Sequence, residues 1–327
     1  MTKAQNHKLQ KAYIRRYTLT DGKENGIKVV ELDNGLIRVL LNESKGLDVM
    51  QLFHNGVNIS FVSRNGFTAR DIDFMNRFEG GMLYTCGFDS IGGRDGFEVH
   101  GSYHTYPAKV ISILEGETAL QVIAEVEITS LFGENLLFER KILLPVDSEK
   151  LLIHDTLINR GTKEENYCLL YHVNLGYPML DEGVKVLADV ESIAPRTPYA
   201  ETKMANYNVF EAPIDNEEET CYFITTKNDS IAVENQKLGK RFTLKYSKNT
   251  LPCVVQWNSP ASQDYALGIE PATCFLDDRF EYKTIKPNQK IAFLHKSIQK
   301  THTLPSFPKT RHNRNPHKDY RSQTHTE

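Results

Sequence analysis

The chain is short of several things that would place it at once. It has a single tryptophan, Trp257, and only five cysteines in 327 residues. Those cysteines (Cys86, Cys168, Cys221, Cys253 and Cys274) are odd in number, widely spread and never in a CxxC pair. A disulfide scaffold and a zinc ribbon are thereby excluded. In apolar or aromatic surroundings a free thiol behaves as a small hydrophobe, which fits a reducing compartment. No apolar run approaches the ~18 residues of a membrane span. The segment Met1–Lys11 also lacks the apolar stretch of a secretory signal. A soluble, cytoplasmic protein without membrane contact is expected. Glycine (20) and proline (13) are in ordinary proportion, so collagen-like and wholly disordered chains are excluded. There is no GxSxG elbow, no GxxxxGK[ST] phosphate loop and no GxGxxG after a strand. Nucleotide-binding and serine-hydrolase readings fall away, and no cofactor is implied.

The formal net charge of −3 hides a split. Residues 297–327 hold six lysines and arginines against two acids, which leaves −7 on residues 1–296. A body of that sign is a poor match to a phosphate backbone, so no nucleic-acid partner is expected. The segment 298–327 is polar and nearly free of aliphatic residues, so it cannot bury enough surface to offset its ordering entropy. A basic, disordered tail is expected there. Its histidines (His302, His312, His317 and His325) are too irregularly spaced to read as a metal tract.

What the chain does have is strands. In Leu120-Gln-Val-Ile-Ala-Glu-Val-Glu-Ile, residues 120, 122, 124, 126 and 128 are apolar, the period of a strand with one buried face. Similar runs recur at 28–32, 36–41, 108–114, 136–144, 150–158, 167–173, 220–226, 230–235, 241–246, 253–257, 265–270 and 291–295. Turns such as Asn34-Gly35 and Asn55-Gly56 separate them, and both residue types tolerate positive φ. No helical apolar stripe lasts three turns. Antiparallel sheets packed as a sandwich are expected, in one domain over 28–297 after an N-terminal extension of residues 1–27. The segment 60–107 breaks the pattern with Gly, Arg, Asp and aromatics. A long irregular stretch that is rich in aromatics is expected to be functional.

Three places hold polar residues where a sandwich prefers apolar ones: Val99–Ala108, Leu169–Pro178 and Tyr265–Ala272. On a strand, His172 and Asn174 share one face. A histidine beside an amide suits a polyhydroxy ligand, and a satisfied core histidine is the plainer alternative. Glu270 follows a small, apolar run and precedes Pro271. It either emerges into solvent or lines a cleft, because burying a carboxylate costs several kcal/mol unless it is paired. His100 and His104 have metal-ligand spacing for a helix, but Gly101 and Pro107 oppose a helix and no third ligand is evident. No metal is expected. Arg77, Arg94 and Arg196 could each clamp a substrate oxygen or pair with an acid. Gln256 and Trp257 form an amide-plus-aromatic pair suited to the C–H face of a sugar, or to core packing.

Taken together, the motifs resemble the aldose 1-epimerase (galactose mutarotase-like) superfamily, and within it the bacterial branch labelled DUF4432. The resemblance rests on Gly46-Leu47-Asp48-Val49, Asn55-Gly56, Glu79–Gly87, His100-Gly101 and Pro107-Ala108. It continues through His172-Val173-Asn174-Leu175 and Ile269-Glu270-Pro271, over about residues 28–297. It implies an all-β supersandwich with a sugar cleft. It also implies His172 as general acid, Glu270 as general base on the opposite side of the sugar, and His100 as a substrate holder. Asn174, Arg77, Arg196, Gln256 and Trp257 complete the expected binding set. The spacing from His172 to Asn174 is shorter than in the better-known mutarotases, a departure that bears on the substrate more than on the chemistry.

Two functions compete. The first is interconversion of the anomers of a free or simply derivatised monosaccharide by acid/base ring opening. The second is a non-catalytic carbohydrate-binding or sensing protein on the same scaffold. The second gains weight if His172 and Glu270 lie too far apart to serve one ring.

Overall fold

A computed structural model describes residues 7–94 and 96–301. The first residues of the expected disordered tail, 298–301, instead continue a strand that pairs with its neighbours in a sheet, and the rest of the tail lies outside the described residues. The regular structure of the described chain is mainly antiparallel β, as the alternating runs require.

Five strands form a first sheet in sequence order: β1 (Tyr13–Thr18), β2 (Lys28–Asp33), β3 (Ile37–Asn42), β4 (Asp48–His54) and β5 (Val57–Asn58). Tyr13–Thr18 therefore adds an edge strand to this sheet, although it falls in the expected extension. Asn55 (φ 50°) and Gly56 (φ 78°) make the β4–β5 hairpin turn that the sequence predicts. Asn34 does more than turn the chain. Its side-chain oxygen accepts from Leu36 N and Ile37 N, and its amide donates to Pro145 O and Ser148 O, tying this sheet to the second.

The second sheet has thirteen strands. They are β6 (Leu83–Phe88), β7 (Lys109–Glu115), β8 (Ala119–Thr129), β9 (Asn135–Pro145), β10 (Lys150–Asn159), β11 (Glu165–Gly176) and β12 (Lys185–Pro195). They continue with β13 (Thr220–Asn235), β14 (Lys240–Tyr246), β15 (Cys253–Ser259), β16 (Ala266–Ala272), β17 (Lys283–Ile285) and β18 (Lys290–Thr301). The main order is β17-β11-β16-β15-β13-β14-β18-β10-β9-β8-β7, with β12 on β13 and β6 on β11. The two runs at 220–226 and 230–235 belong to the single strand β13, which pairs β15 with its first half and β14 with its second.

Burial patterns divide these strands into two kinds. β8 alternates, with Leu120, Val122, Ala124, Val126 and Ile128 inward, as the period of two predicts. β16 and nearly all of β11 are buried without alternation, because both of their faces are covered. Between the sheets, Arg140 of β9 is wholly buried and bonds Asp48 of β4, Asp155 of β10 and Thr85 of β6. Tyr171 of β11 donates to the same Asp155 carboxylate. The cluster pins β11 from its inward face.

Candidate active site

The site follows from strand register. Leu170 pairs with Ala272 and Val173 with Ile269, so His172 and Glu270 fall opposite each other on neighbouring strands. His172 also stands opposite Tyr84 of β6, and Glu270 opposite Val255 of β15. One cross-strand row, Tyr84–His172–Glu270–Val255, thus runs across four strands on the face away from Tyr171. The next row holds Asn174, Gly268, Trp257 and Cys221.

His172 Nε2 lies 3.3 Å from Glu270 Oε1, and both side chains are buried. Burial pushes the Glu270 carboxyl well up, assisted by the charge of Glu219 and opposed by Arg196. Burial pushes the His172 imidazole well down, and His100 adds to it. Both shifts favour a neutral acid beside a neutral imidazole. That form and the imidazolium–carboxylate pair hold the same single proton, so the two groups titrate as a unit. A general acid would ordinarily rest as the imidazolium; burial instead favours a neutral His172 with the shared proton on Glu270.

Gly268 explains why the row can close up. A Cβ there would sit 2.4 Å from Glu270 Oε1 and 3.2 Å from His172 Cε1. Sequence reasoning did not single this glycine out, although Gly268 lies two residues before Glu270, the spacing at which strand side chains share a face.

A cleft of about 720 Å³ opens over the dyad, and His172, Glu270, His100, Trp257 and Arg196 all line it. Its walls are aromatic, from Phe61, Phe74, Phe78 and Trp257. Trp257 stands edge-on to His172 with ring centroids 5.5 Å apart, and its indole N–H donates to Glu219 at 2.7 Å. That bond fixes the ring plane. His100 (φ 65°) and Gly101 (φ 76°) form a left-handed step, and a Cβ on Gly101 would strike Ser90 O at 2.3 Å. The carbonyl of Ile91 only accepts, so His100 Nδ1, 3.0 Å away, carries its proton and Nε2 is left as an acceptor. Burial pushes His100 down to about 4, which keeps it neutral. Its ring stands 5.2 Å from that of His172, edge to face.

Three expected site residues do not line the cleft. Asn174 shares the face of His172 but lies wholly buried beside it, its amide donating to His172 O at 3.0 Å. Gln256 points to the opposite side, because Val255 and Trp257, its neighbours on β15, occupy the cleft face. There its amide donates to Tyr207 O at 2.7 Å. Arg77, at the end of the short helix α1 (Phe74–Arg77), is buried behind the wall. It donates to Ile72 O and to Glu98, two residues before His100, and so positions that segment without reaching the cleft. Arg94 likewise stacks on Phe280 and donates to Tyr282. Arg196 does face the cleft, exposed just beyond β12, with Nη1 3.9 Å from Cys221 Sγ. His104 is a core histidine packed on Tyr84, with ring centroids 4.8 Å apart.

The all-β sandwich fold is shared by solved structures of galactose mutarotase-like proteins. A candidate aldose 1-epimerase from Klebsiella pneumoniae superposes with a TM-score of 0.77 at 20% identity, over 88% of this chain and 83% of that one. A galactose mutarotase-like protein from Clostridium acetobutylicum gives 0.68 at 15% identity, over 89% and 99%. A further candidate aldose 1-epimerase, from Escherichia coli K12, gives 0.60 at 9% identity, over 84% and 100%. At these identities the likeness establishes the fold. Residues 24–304 match the family model described as a domain of unknown function, DUF4432, and the chain belongs to that family. No curated protein matches it.

Proposed function

We propose that the protein is an aldose 1-epimerase-like isomerase, interconverting the anomers of a free or simply derivatised monosaccharide. The observation that carries this reading is the 3.3 Å approach of His172 to Glu270 at the floor of the cleft.

Mutarotation needs one proton removed from the C1 hydroxyl and one delivered to the ring oxygen. Both oxygens sit on the same carbon, so one pair of neighbouring groups can reach both. The sequence reading set the two groups on opposite sides of the sugar; their 3.3 Å separation favours one side instead. A pair that holds one proton between two sites supplies a donor and an acceptor together. Once the shared proton passes from Glu270 to His172, Glu270 is the base and His172 the acid: the proton leaves O1 for the carboxylate while the imidazolium protonates the ring oxygen. The C1–O5 bond breaks, O1 becomes a carbonyl, C1 rotates, and the reverse transfers close the ring on its other face. The dyad ends with the proton it began with. Each positioned group contributes about 10²–10⁴-fold. His100 Nε2 is suited to accept from a sugar hydroxyl, and the Trp257 ring to cover an apolar C–H face.

Saturation-transfer NMR between anomeric protons over a panel of aldoses tests the reading. Enhanced exchange that is lost in Glu270→Gln and His172→Gln supports it. Sugar binding without enhanced exchange would favour the non-catalytic binding protein.

A further inference from the structure

A second cavity, of about 490 Å³, adjoins the cleft, and Arg64 and Asn65 line both. Its character is different. Where the cleft is walled by aromatics, this cavity is bounded by Lys23, Arg64, Arg70, Asp73 and Asn76. The three cations are exposed. Arg64 is neutralised by Asp264, and Asp73 is engaged by the Asn76 amide at 2.7 Å. Lys23 donates to the neutral Asn65 carbonyl oxygen. Among the described residues, the Arg70 guanidinium has no carboxylate partner. Three cations against Asp73 and Asp264 leave an excess of positive charge at this mouth, on a body whose net charge is negative. The cleft alone falls in the roughly 300–1,000 Å³ range of small-molecule sites. With the second cavity beside it, the space exceeds what one unsubstituted sugar ring fills.

We propose that this cavity is a subsite for an anionic group, phosphate or carboxylate, carried by the sugar whose anomeric carbon lies at the dyad, with Lys23 and Arg70 as its cationic ligands. The inference deepens the epimerase reading and rests on it for the placement of the sugar ring. A compact anion at such a mouth gains charge-assisted hydrogen bonds from the guanidinium. Exposure makes the attraction sensitive to salt. The uncharged remainder of the ring is left to the aromatic walls.

The test compares glucose, galactose and mannose with their 6-phosphates and their uronic acids. Anomer exchange is read by NMR, and binding is read separately by calorimetry on the full-length protein. The expected result is at least a tenfold preference, in kcat/KM or in Kd, for one anionic series over its neutral parent. That preference shrinks toward unity in Lys23→Gln/Arg70→Gln and as salt is raised. The phosphate and uronate arms identify which anion the cavity takes. Equal use of neutral and anionic sugars, or a preference undiminished in the double variant, would overturn the subsite while leaving the epimerase reading intact. Anionic sugars that bind through Lys23 and Arg70 with no enhanced exchange for any sugar would keep the subsite and overturn the epimerase reading. No binding of any anionic sugar overturns the subsite.

Discussion

Tyr171 and His172 are adjacent on β11 and face two buried polar clusters of opposite character. On the inward side, the Arg140 guanidinium meets Asp48, Asp155, Thr85 and Gly46 O, and Tyr171 donates to Asp155. On the cleft side, Glu270 Oε1 has only His172 Nε2, at 3.3 Å and short of a well-formed hydrogen bond. Buried polar atoms are paired in the great majority of cases, so a loosely paired dyad on a cleft floor marks groups held for something else. The first cluster holds β11 in place. The second is what that placement presents.

The largest expected difference lies between these clusters. Arg140→Met leaves two buried carboxylates without their cation, and about 3–5 kcal/mol of stability is expected to be lost in urea unfolding. Glu270→Gln and His172→Gln remove no such partner. They are expected to leave the unfolding midpoint unchanged or raised, and to cut anomer exchange about 10²–10⁴-fold. If the dyad variants unfold as readily as Arg140→Met, the division between the clusters is wrong.

Gly268→Ala probes the closeness of the dyad from within. The added methyl must displace Glu270 or His172, so exchange is expected to fall by about a hundredfold for an overpacking cost of about 1–3 kcal/mol. A variant with full activity would show that the 3.3 Å approach is not needed for catalysis.

The histidines also divide by pH. Burial holds His100 down to about 4 and His104 down to about 3, from ordinary values near 6.5. Below about 6.5 the unfolded chain takes up protons that the folded one refuses. Stability is therefore fully present above about 6.5 and drops as pH falls toward those lower values. Equilibrium unfolding at stepped pH should show that slope, and His104→Phe should flatten it. A slope of the reverse sign would mean that these rings are charged in the fold.

The smallest contrast is between neighbours on β15. Trp257→Phe loses the bond to Glu219 and is expected to raise KM severalfold, on the order of 1 kcal/mol. Gln256→Leu, facing away from the cleft, should leave KM unchanged. A KM effect from the second variant would contradict the assigned faces.

Parity also decides how much of the site was legible in the sequence. The alternation in Leu120–Ile128 and the Asn-Gly turns carry their geometry locally, and both appear in the fold as read. His172 and Asn174 are two residues apart and share a face. Gln256 and Trp257 are adjacent, so only one of them could enter the cleft. β6 was not recognised, because Leu83–Phe88 is buried on both faces and stands among glycines and aromatics that mask any period. The pairing of His172 with Glu270 depends on the β11–β16 register, which long-range packing sets. The place of Arg77 depends on Glu98, an ion pair that no spacing announces.

The most direct test of the dyad is anomeric exchange measured by saturation transfer in Glu270→Gln beside the unaltered protein, on a sugar shown to bind both. The account predicts that binding persists while enhanced exchange falls by at least a hundredfold. Enhanced exchange undiminished in the variant would contradict it.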